Sequence, residues 1–458
     1  MHVAIIGNGF SGLMVARHLI DLGDTSLSIS IFEKQHEPGR GIAYSPQSEK
    51  VLLNVVAAKM SAFPDKPTHF VEWLSKQIQF LKDDLNLLAN SFVSRAMYGN
   101  YLQDLWIETK QIAQTKKIHL ELLNLEITDL FCAEKTVHIH TKNNEFLVDK
   151  VILATGNQLP GNPKELTGDS MLSNRYFQNP WNYSLNQVDP KKPIFILGNG
   201  LTMVDTVMQL REHKLTNQIV SLSPHGFHIL PHRNFTYTLP DWISELPPSP
   251  TLLQLVSAIN RQFKALHKHG ISAEPLIDSI RPHTQRFWRG FSQYEKKRFM
   301  RHFRHLWGLA RHRLPFVTYD IIQKERINGS LSIKSGKVIS AKPVENGIQI
   351  IYFDKTSKQN QTILAEALIN CTGPESDITK TNSSLLQNCL KKGYIQQDDL
   401  KLGLSTNINT FETINAAGKE NEKIFAIGNL LRGELWESTA VNELRSQAKN
   451  LASAILIN

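Results

Sequence analysis

The run Val3-Ala4-Ile5-Ile6-Gly7-Asn8-Gly9-Phe10-Ser11-Gly12 decides the fold. Four apolar residues make a short, fully buried strand. Gly7, Gly9 and Gly12 then spell G-x-G-x-x-G at its end. Phe10 and Ser11 open a helix on which Leu13, Ala16, Leu19 and Ile20 recur at helical spacing, and Gly23 is expected to stop it. A second strand is expected over residues 27–32, ending at Glu33 with Lys34 beyond it. Each piece has a physical task. Gly7 permits a tight turn, Gly9 lets a pyrophosphate approach the backbone, and Gly12 lets helix and strand pack closely. The helix N-terminus offers free N–H groups and partial positive charge to phosphate. Glu33 follows Gly12 by 21 residues, where a carboxylate accepts hydrogen bonds from a ribose. Strand, helix and acid together make this a dinucleotide site rather than a glycine-rich turn.

The pattern returns at Pro193-Ile194-Phe195-Ile196-Leu197-Gly198-Asn199-Gly200-Leu201-Thr202-Met203-Val204-Asp205. Val204, Val207, Met208 and Leu210 are expected on the inner face of its helix. Met203 takes the third glycine position, so this helix is expected to stand further from its strand. The next strand, over residues 218–222, runs into Ser223-Pro224-His225-Gly226 without a carboxylate. A carboxylate there would bind a free ribose 2′-hydroxyl and repel a 2′-phosphate. Its absence leans toward NADPH, with NADH still open. Apolar strands also run into Ala154-Thr155-Gly156 and Cys371-Thr372-Gly373, and both are read as parts of the first nucleotide fold.

Further segments carry a resemblance. They are Gly39-Arg40-Gly41-Ile42-Ala43-Tyr44, Leu52-Leu53-Asn54-Val55, Met60-Ser61-Ala62-Phe63-Pro64-Asp65, His69-Phe70, Trp73-Leu74, and Arg432-Gly433 leading to Trp436-Glu437-Ser438-Thr439-Ala440-Val441. In this order the chain resembles a largely uncharacterised family of bacterial FAD/NAD(P)-binding proteins. Its first domain is shared with flavin monooxygenases that hydroxylate urate or N-hydroxylate aspartate. The resemblance implies that Arg40 and Gly41 line the flavin pyrophosphate, and that Asn54, Met60 and Ser61 lie near the flavin. It assigns Gly198, Gly200, Leu201, Thr202 and Asp205 to the nicotinamide cofactor. Gly428-Asn429 stands where many flavoproteins have Gly-Asp at the ribityl chain. Ser438 or Thr439 is expected to cap a helix whose N-terminus, with Trp436 nearby, faces the flavin. Related proteins usually carry Arg at the position of Pro224, so His225, His228, His232 and Arg233 are the available replacements for a 2′-phosphate clamp.

Composition agrees with a large soluble-type chain. It has 458 residues, 41% hydrophobic and 20% charged, enough for two to four domains. Its three cysteines include no C-x-x-C, which excludes a disulfide scaffold and points to a reducing, cytoplasmic setting. No apolar run reaches 18 residues, so no membrane span is expected. No metal-ligand set is recognised. The net charge is +9, and residues 281–313 alone hold ten Lys or Arg against one acid. There Phe299, Phe303, Leu306, Trp307 and Ala310 fall at helical spacing. That stretch reads as a solvated helix face, as a cationic wall for cofactor phosphates or an acidic substrate, or as a nucleic-acid or membrane surface. No nucleic-acid motif accompanies it, so no nucleic-acid partner is expected.

The expected fold class is α/β, a two-dinucleotide-binding-domain flavoprotein with two Rossmann-like parallel sheets and helical insertions. Residues 1–190 and 330–458 are expected to form a discontinuous FAD domain. Residues 191–329 are expected to form an NAD(P)H domain that includes a basic helical segment, 250–320. Because a flavin carries the hard chemistry itself, no catalytic triad need be visible, and no catalytic residue is named. The leading expectation is an NADPH-utilising flavin monooxygenase that uses molecular oxygen on a small polar or anionic metabolite. The alternatives are a flavin reductase or dehydrogenase without oxygen insertion, and a flavin-bound sensor with negligible turnover.

Overall fold

The computed structural model describes residues 1–34, 37–45, 48–166, 173–185, 188–233 and 237–457. The opening run forms β1 (His2–Ile6) and α1 (Phe10–Leu22), with Gly23 at the helix C-cap. The apolar residues Leu13, Ala16, Leu19 and Ile20 are all buried. The chain continues through β2 (Ser28–Phe32), α2 (Arg95–Thr115) and β3 (His119–Leu123). An antiparallel meander follows, β4 (Asp129–Cys132), β5 (Val137–His140) and β6 (Glu145–Val148). Then β7 (Lys150–Leu153) returns to the free side of β1, pairing Ala4 with Val151. Strands β1, β2, β3 and β7 are parallel. β1 and β7 carry near-continuous apolar runs, which suit central strands covered on both faces.

A second unit repeats this plan. β8 (Tyr176–Phe177) and β9 (Ile194–Leu197) lead into α3 (Leu201–Glu212) and β10 (Ile219–Ser223). Val204, Val207, Met208 and Leu210 are buried on α3 as their spacing demanded. After β11 (Leu230–Pro231) the chain inserts α4 (Leu252–Lys268), α5 (Glu274–Ile280), α6 (Thr284–Gly290), α7 (Gln293–His302) and α8 (Arg304–Arg311). It regains the sheet through β12 (Arg313–Leu314), α9 (Phe316–Ile327), and β13 (Leu331–Val344). The antiparallel β14 (Gly347–Asp354) and β15 (Gln359–Ala365) stand where the meander stood, and β16 (Ala367–Asn370) closes beside β9. The strand order is β15-β14-β13-β10-β9-β16-β8. The chain then rejoins the first sheet as β17 (Glu412–Ile414) and β18 (Glu420–Ala426), completing the order β17-β18-β7-β1-β2-β3. It ends in α10 (Arg432–Leu435) and α11 (Val441–Ile457), which packs on α1.

One expectation is corrected here. The strand before Thr372-Gly373 belongs to the second sheet, not the first, since Ala367 to Asn370 pair with Ile194 to Leu197. Residues 331–370 therefore lie in the second sheet, and the return to the first comes later than residue 330. The cause is the repeat itself. In each unit the glycine turn presses against the end of the fourth strand: Gly7 abuts Ala154 and Gly198 abuts Cys371. Both fourth strands consequently end in a small residue followed by Thr-Gly, and the pattern carries no label for its sheet.

The helical insertion has its own core of Trp242, Leu276, Phe287, Trp288 and neighbours, which also takes in Leu402 and Trp436 from the C-terminal third. Two capping boxes start its helices, Thr251 with Gln254 and Ser292 with Glu295. The amphipathic stretch expected over 299–310 is two helices that meet at Phe303. Phe299, Phe303, Trp307 and Ala310 face the core, whereas Leu306 is exposed.

Candidate functional site: two glycine turns and the segment between them

At the first turn Gly7 has φ +104°, a conformation that L side chains rarely adopt, and its N–H donates to Phe32 O at 2.8 Å. A Cβ on Gly12 would overlap the Gly7 carbonyl, so α1 can pack only on glycine here. Gly9 is the N-cap of α1 and supplies no side-chain cap, which leaves the first-turn N–H groups of Phe10, Ser11 and Gly12 available to an anion. Glu33 is buried and its Oε2 accepts from Asn8 N–H at 2.9 Å, so it braces the turn from behind. Lys34 is exposed and pairs with Glu126 at 2.8 Å.

Gly41 lies directly against Gly9, 3.4 Å from where a Gly9 Cβ would stand. The neighbouring Arg40 is tied down: it donates to Asn100 Oδ1 at 2.6 Å and Gln103 Oε1 at 2.8 Å, and pairs with Glu37 at 3.0 Å. It is a brace between loop and α2. Met60 is buried, and Ser61 Oγ donates to Lys66 O at 2.6 Å. Thr155 Oγ1 accepts from Gln158 at 3.4 Å, while Gly156 has φ +65° and open space beside it.

Gly428 and Asn429 come to this turn from β18. A Cβ on Gly428 would lie 3.6 Å from Ser11 Oγ. Between residues 429 and 447, seven buried side-chain atoms have no hydrogen-bond partner among the described residues. They are Asn429 Oδ1, Trp436 Nε1, Ser438 Oγ, Asn442 Oδ1, Glu443 Oε2, Arg445 Nε and Gln447 Nε2. Asn8, fully buried in the first turn, adds both its side-chain atoms. Buried polar groups are otherwise paired almost without exception, and an unpaired one costs about 1–3 kcal/mol. Ser438 thus does not cap α11 as expected, since its Oγ bonds nothing here, and Thr439 is exposed.

Trp436 is strained. Its φ of 60° and ψ of −64° put it at the centre of a γ-turn closed by Glu437 N–H to Leu435 O at 2.7 Å. Such a conformation costs on the order of 1–3 kcal/mol and persists only when packing enforces it. Trp288 stacks on the indole at 5.1 Å, Phe299 meets it edge-on at 5.1 Å, and Trp288 Nε1 donates to Gly433 O at 2.8 Å.

The second turn mirrors the first. Gly198 has φ +101° and its N–H donates to Leu222 O at 2.8 Å. Gly200 caps α3 ahead of Leu201 and Thr202, and a Cβ on it would meet nothing within 4 Å. Asn199 is held by Ser221 Oγ at 2.6 Å, with its Nδ2 unpartnered. Of the replacements for a phosphate clamp, His232 and Arg233 are taken by Glu274, at 3.7 and 3.4 Å. His228 meets Arg326 at 3.3 Å, and His225 packs on Phe227 and His305. Lys355, which sequence reading passed over, reaches Pro224 O at 2.7 Å.

Asp205 forms an ion pair with Arg95 of α2 at 3.0 Å, linking the two nucleotide units. Burial raises its pKa to about 6 against the pull of Arg95. Arg95 also lies over the Trp181 ring at 5.8 Å. Nearby, His232 Nε2 bonds Asn54 O at 2.9 Å and Val51 packs into the second unit's core. Asn54 is therefore an interface residue through its carbonyl. Neither Arg95 nor Asn8 was singled out from sequence. A lone Arg on an amphipathic helix carries no signal, whereas the x positions inside the glycine motif could have been examined as ligand-facing.

Residues 4–158 match a family model described as FAD-NAD(P)-binding. The uncharacterized protein YdhS of Escherichia coli (strain K12) is 26% identical over 216 residues, 45% of this chain and 38% of its own length. The match thus spans well under half of that relative. Among solved structures, the ornithine hydroxylase PvdA of Pseudomonas aeruginosa superposes with TM-score 0.65 at 13% identity, covering 99% of this chain and 98% of its own. DfoA of Erwinia amylovora, a cadaverine monooxygenase bound to FAD, gives 0.63 at 12% identity over 100% and 94%. The L-lysine 6-monooxygenase of Pseudomonas syringae gives 0.62 at 15% identity over 99% of each chain. The chain therefore has the two-dinucleotide-domain flavoprotein fold from end to end, with an FAD-NAD(P)-binding module over residues 4–158.

Proposed function

We propose that this chain is an FAD-dependent, NADPH-utilising oxidoreductase that hydroxylates a small polar or anionic metabolite with molecular oxygen. The observation that carries the reading is the pair of glycine turns at helix N-termini in one chain, the second with open space above Gly200. Two dinucleotide sites in one body suit electron transfer from one cofactor to the other. FAD, when bound, supplies the redox chemistry. The residues present fit it: the first-turn N–H groups suit its phosphates, and the unpartnered atoms of Asn8, Asn429 and the 436–447 segment suit its polar edges. The α11 N-terminus adds partial positive charge, which favours a reduced, anionic flavin. The Arg95–Asp205 pair and the His232–Asn54 bond hold the two units in register.

At the second site, β10 ends without an acid, and Arg326 and Lys355 stand by the following loop. That charge favours NADPH over NADH. Residues 1–158 and 371–458 would then form the FAD domain and 194–370 the NADPH domain, with the helical insertion bridging both. The solved neighbours are hydroxylases and monooxygenases of ornithine, lysine and cadaverine. Arg432 lies over the Trp436 ring at 4.9 Å, a charge that repels a diamine and favours an anion instead. Among the described residues, no helix is long and apolar enough to cross a membrane.

The test is anaerobic mixing of FAD-loaded protein with NADPH, followed by readmission of air. Loss of the oxidised flavin absorbance, then rapid recovery in air, is expected. FAD-loaded protein that stays yellow under NADPH refutes the two-site reading and leaves a flavin-bound sensor. Bleaching without oxygen-dependent recovery leaves a reductase.

A further inference from the structure

The junction of the helical insertion with the C-terminal segment is crowded with guanidinium groups. Arg281, Arg304 and Arg311 come from the insertion, and Arg432 from α10. Two of them are matched by acids. Arg281 reaches Glu443 Oε1 at 3.4 Å, and Arg311 lies 3.8 Å from Glu437 Oε1, which also accepts from Trp307 Nε1 at 2.9 Å. The other two are not. Among the described residues, Arg304 and Arg432 make no ion pair and no side-chain hydrogen bond. Arg432 lies over the Trp436 ring at 4.9 Å and is repelled by Arg304. Burial and that repulsion bring its pKa down to about 10, and Glu437 offsets only part of the shift.

Arg304, Trp307 and Arg311 fall at i, i+3 and i+7 on α8, along one face of that helix. Trp307 and Arg311 of that face both meet Glu437, and Arg432 lies over the ring of Trp436, the strained residue just before it. Arg304 is exposed, so an anion can reach it. Two cations without acids at one junction are stabilised by an anion that accepts from both.

We propose that this junction, through Arg304 and Arg432 with Arg311 on the same helix face as Arg304, binds the carboxylate of an anionic substrate and sets it beside the flavin-binding segment. The assignment rests on the flavoenzyme reading above and names its substrate class. A planar guanidinium fork matches a carboxylate bidentately, whereas lysine would offer a point charge. Trp436 and its γ-turn then hold Arg432 at a fixed angle, which gives the strain a use.

The test uses FAD-loaded protein at constant ionic strength. Succinate, aspartate, citrate and benzoate are titrated singly, following tryptophan fluorescence and the flavin spectrum. Succinamide serves as the neutral control, and inorganic phosphate and NADP+ as the phosphate arm. Saturable perturbation by at least one carboxylate, and none by succinamide, is expected. Arg304→Gln, an accessible side chain without an acid partner, should fold normally. It should weaken that carboxylate by about tenfold or more, as loss of a charge-assisted hydrogen bond does. Its FAD content and its bleaching by NADPH should be unchanged, and Arg304→Lys should recover part of the affinity. No saturation by any carboxylate, or equal binding by Arg304→Gln, overturns the proposal. Saturation by NADP+ or phosphate alone, weakened in Arg304→Gln, also overturns it and gives the site to the nicotinamide cofactor. Absence of FAD from wild-type protein is a separate failure, of the flavoenzyme reading, and is read before any titration.

Discussion

Gly200→Val separates fold from cofactor binding more cleanly than any other change at the two turns. Gly200 has φ −83° and ψ −170°, which valine adopts freely, and a Cβ there meets nothing within 4 Å. The cost to the fold is the poorer N-cap, a few tenths to about 1 kcal/mol. The cost to the ligand is larger. Two methyl groups at the N-cap stand where a pyrophosphate would meet the first-turn N–H groups of α3. Each hydrogen bond to a charged group is worth about 1.5–3 kcal/mol, so loss of two weakens binding by about 10² to 10⁴-fold. The assay is anaerobic stopped-flow reduction by NADPH over a concentration series, with FAD content and thermal midpoint measured on the same sample. The expected result is normal FAD content, a midpoint within a few degrees of wild type, and reduction too weakly bound to saturate. Gly12→Ala is the contrast, because its Cβ would overlap the Gly7 carbonyl and the protein should fail to fold with FAD. Wild-type reduction kinetics in Gly200→Val would refute the second turn as the nicotinamide site.

Other outcomes follow from particular groups. Asp205 has a folded pKa of about 6 against 3.8 for the free side chain. A raised acid pKa means that its contribution to stability is complete below pH 3.8 and is lost as pH rises through about 6. The loss is about 3 kcal/mol. Asp205→Asn should remove that slope, so the difference in unfolding free energy between variant and wild type should grow by about this amount from pH 4 to 7, and a pH-independent difference would contradict it. Trp436→Gly relieves about 1–3 kcal/mol of backbone strain but gives up about 3–5 kcal/mol of packing. A net loss of about 2 kcal/mol is expected, with earlier proteolysis between residues 250 and 320, and a stabilised variant would show the γ-turn to be unsupported. Burial pushes the Cys371 and Cys389 thiols up to about 12, so a maleimide should leave both unlabelled in native protein and label both after denaturation.

Much of the fold was legible because it repeats a local rule. An apolar strand, a glycine turn and an amphipathic helix are set by residues within 20 of each other, and both copies stand where the sequence places them. The assignment of the fourth strands was not legible, because the same contact with a glycine turn shapes both. The site divides in the same way. Gly7, Gly9, Gly12, Gly198 and Gly200 are read from the spacing of the motif, and of these the backbone itself demands Gly7, Gly12 and Gly198. Arg40 and Ser61 carry the right chemistry for a cofactor, but in the fold their polar atoms meet Gln103 and Lys66 instead.

What sequence alone determined is whatever backbone sterics and hydrophobic period dictate over short range: two nucleotide-type units, their turns and their order. What only tertiary structure decided is which charges meet. Asp205 reads as a turn residue and proves to be a pin to Arg95, 110 positions away. The ten cations of residues 281–313 read as a solvated face or a wall, and the fold sorts them into paired and unpaired. Electrostatic interaction depends on distance through space, and sequence separation carries almost none of that distance. Arg281 and Arg311 found acids at 443 and 437 respectively, and Arg304 and Arg432 did not.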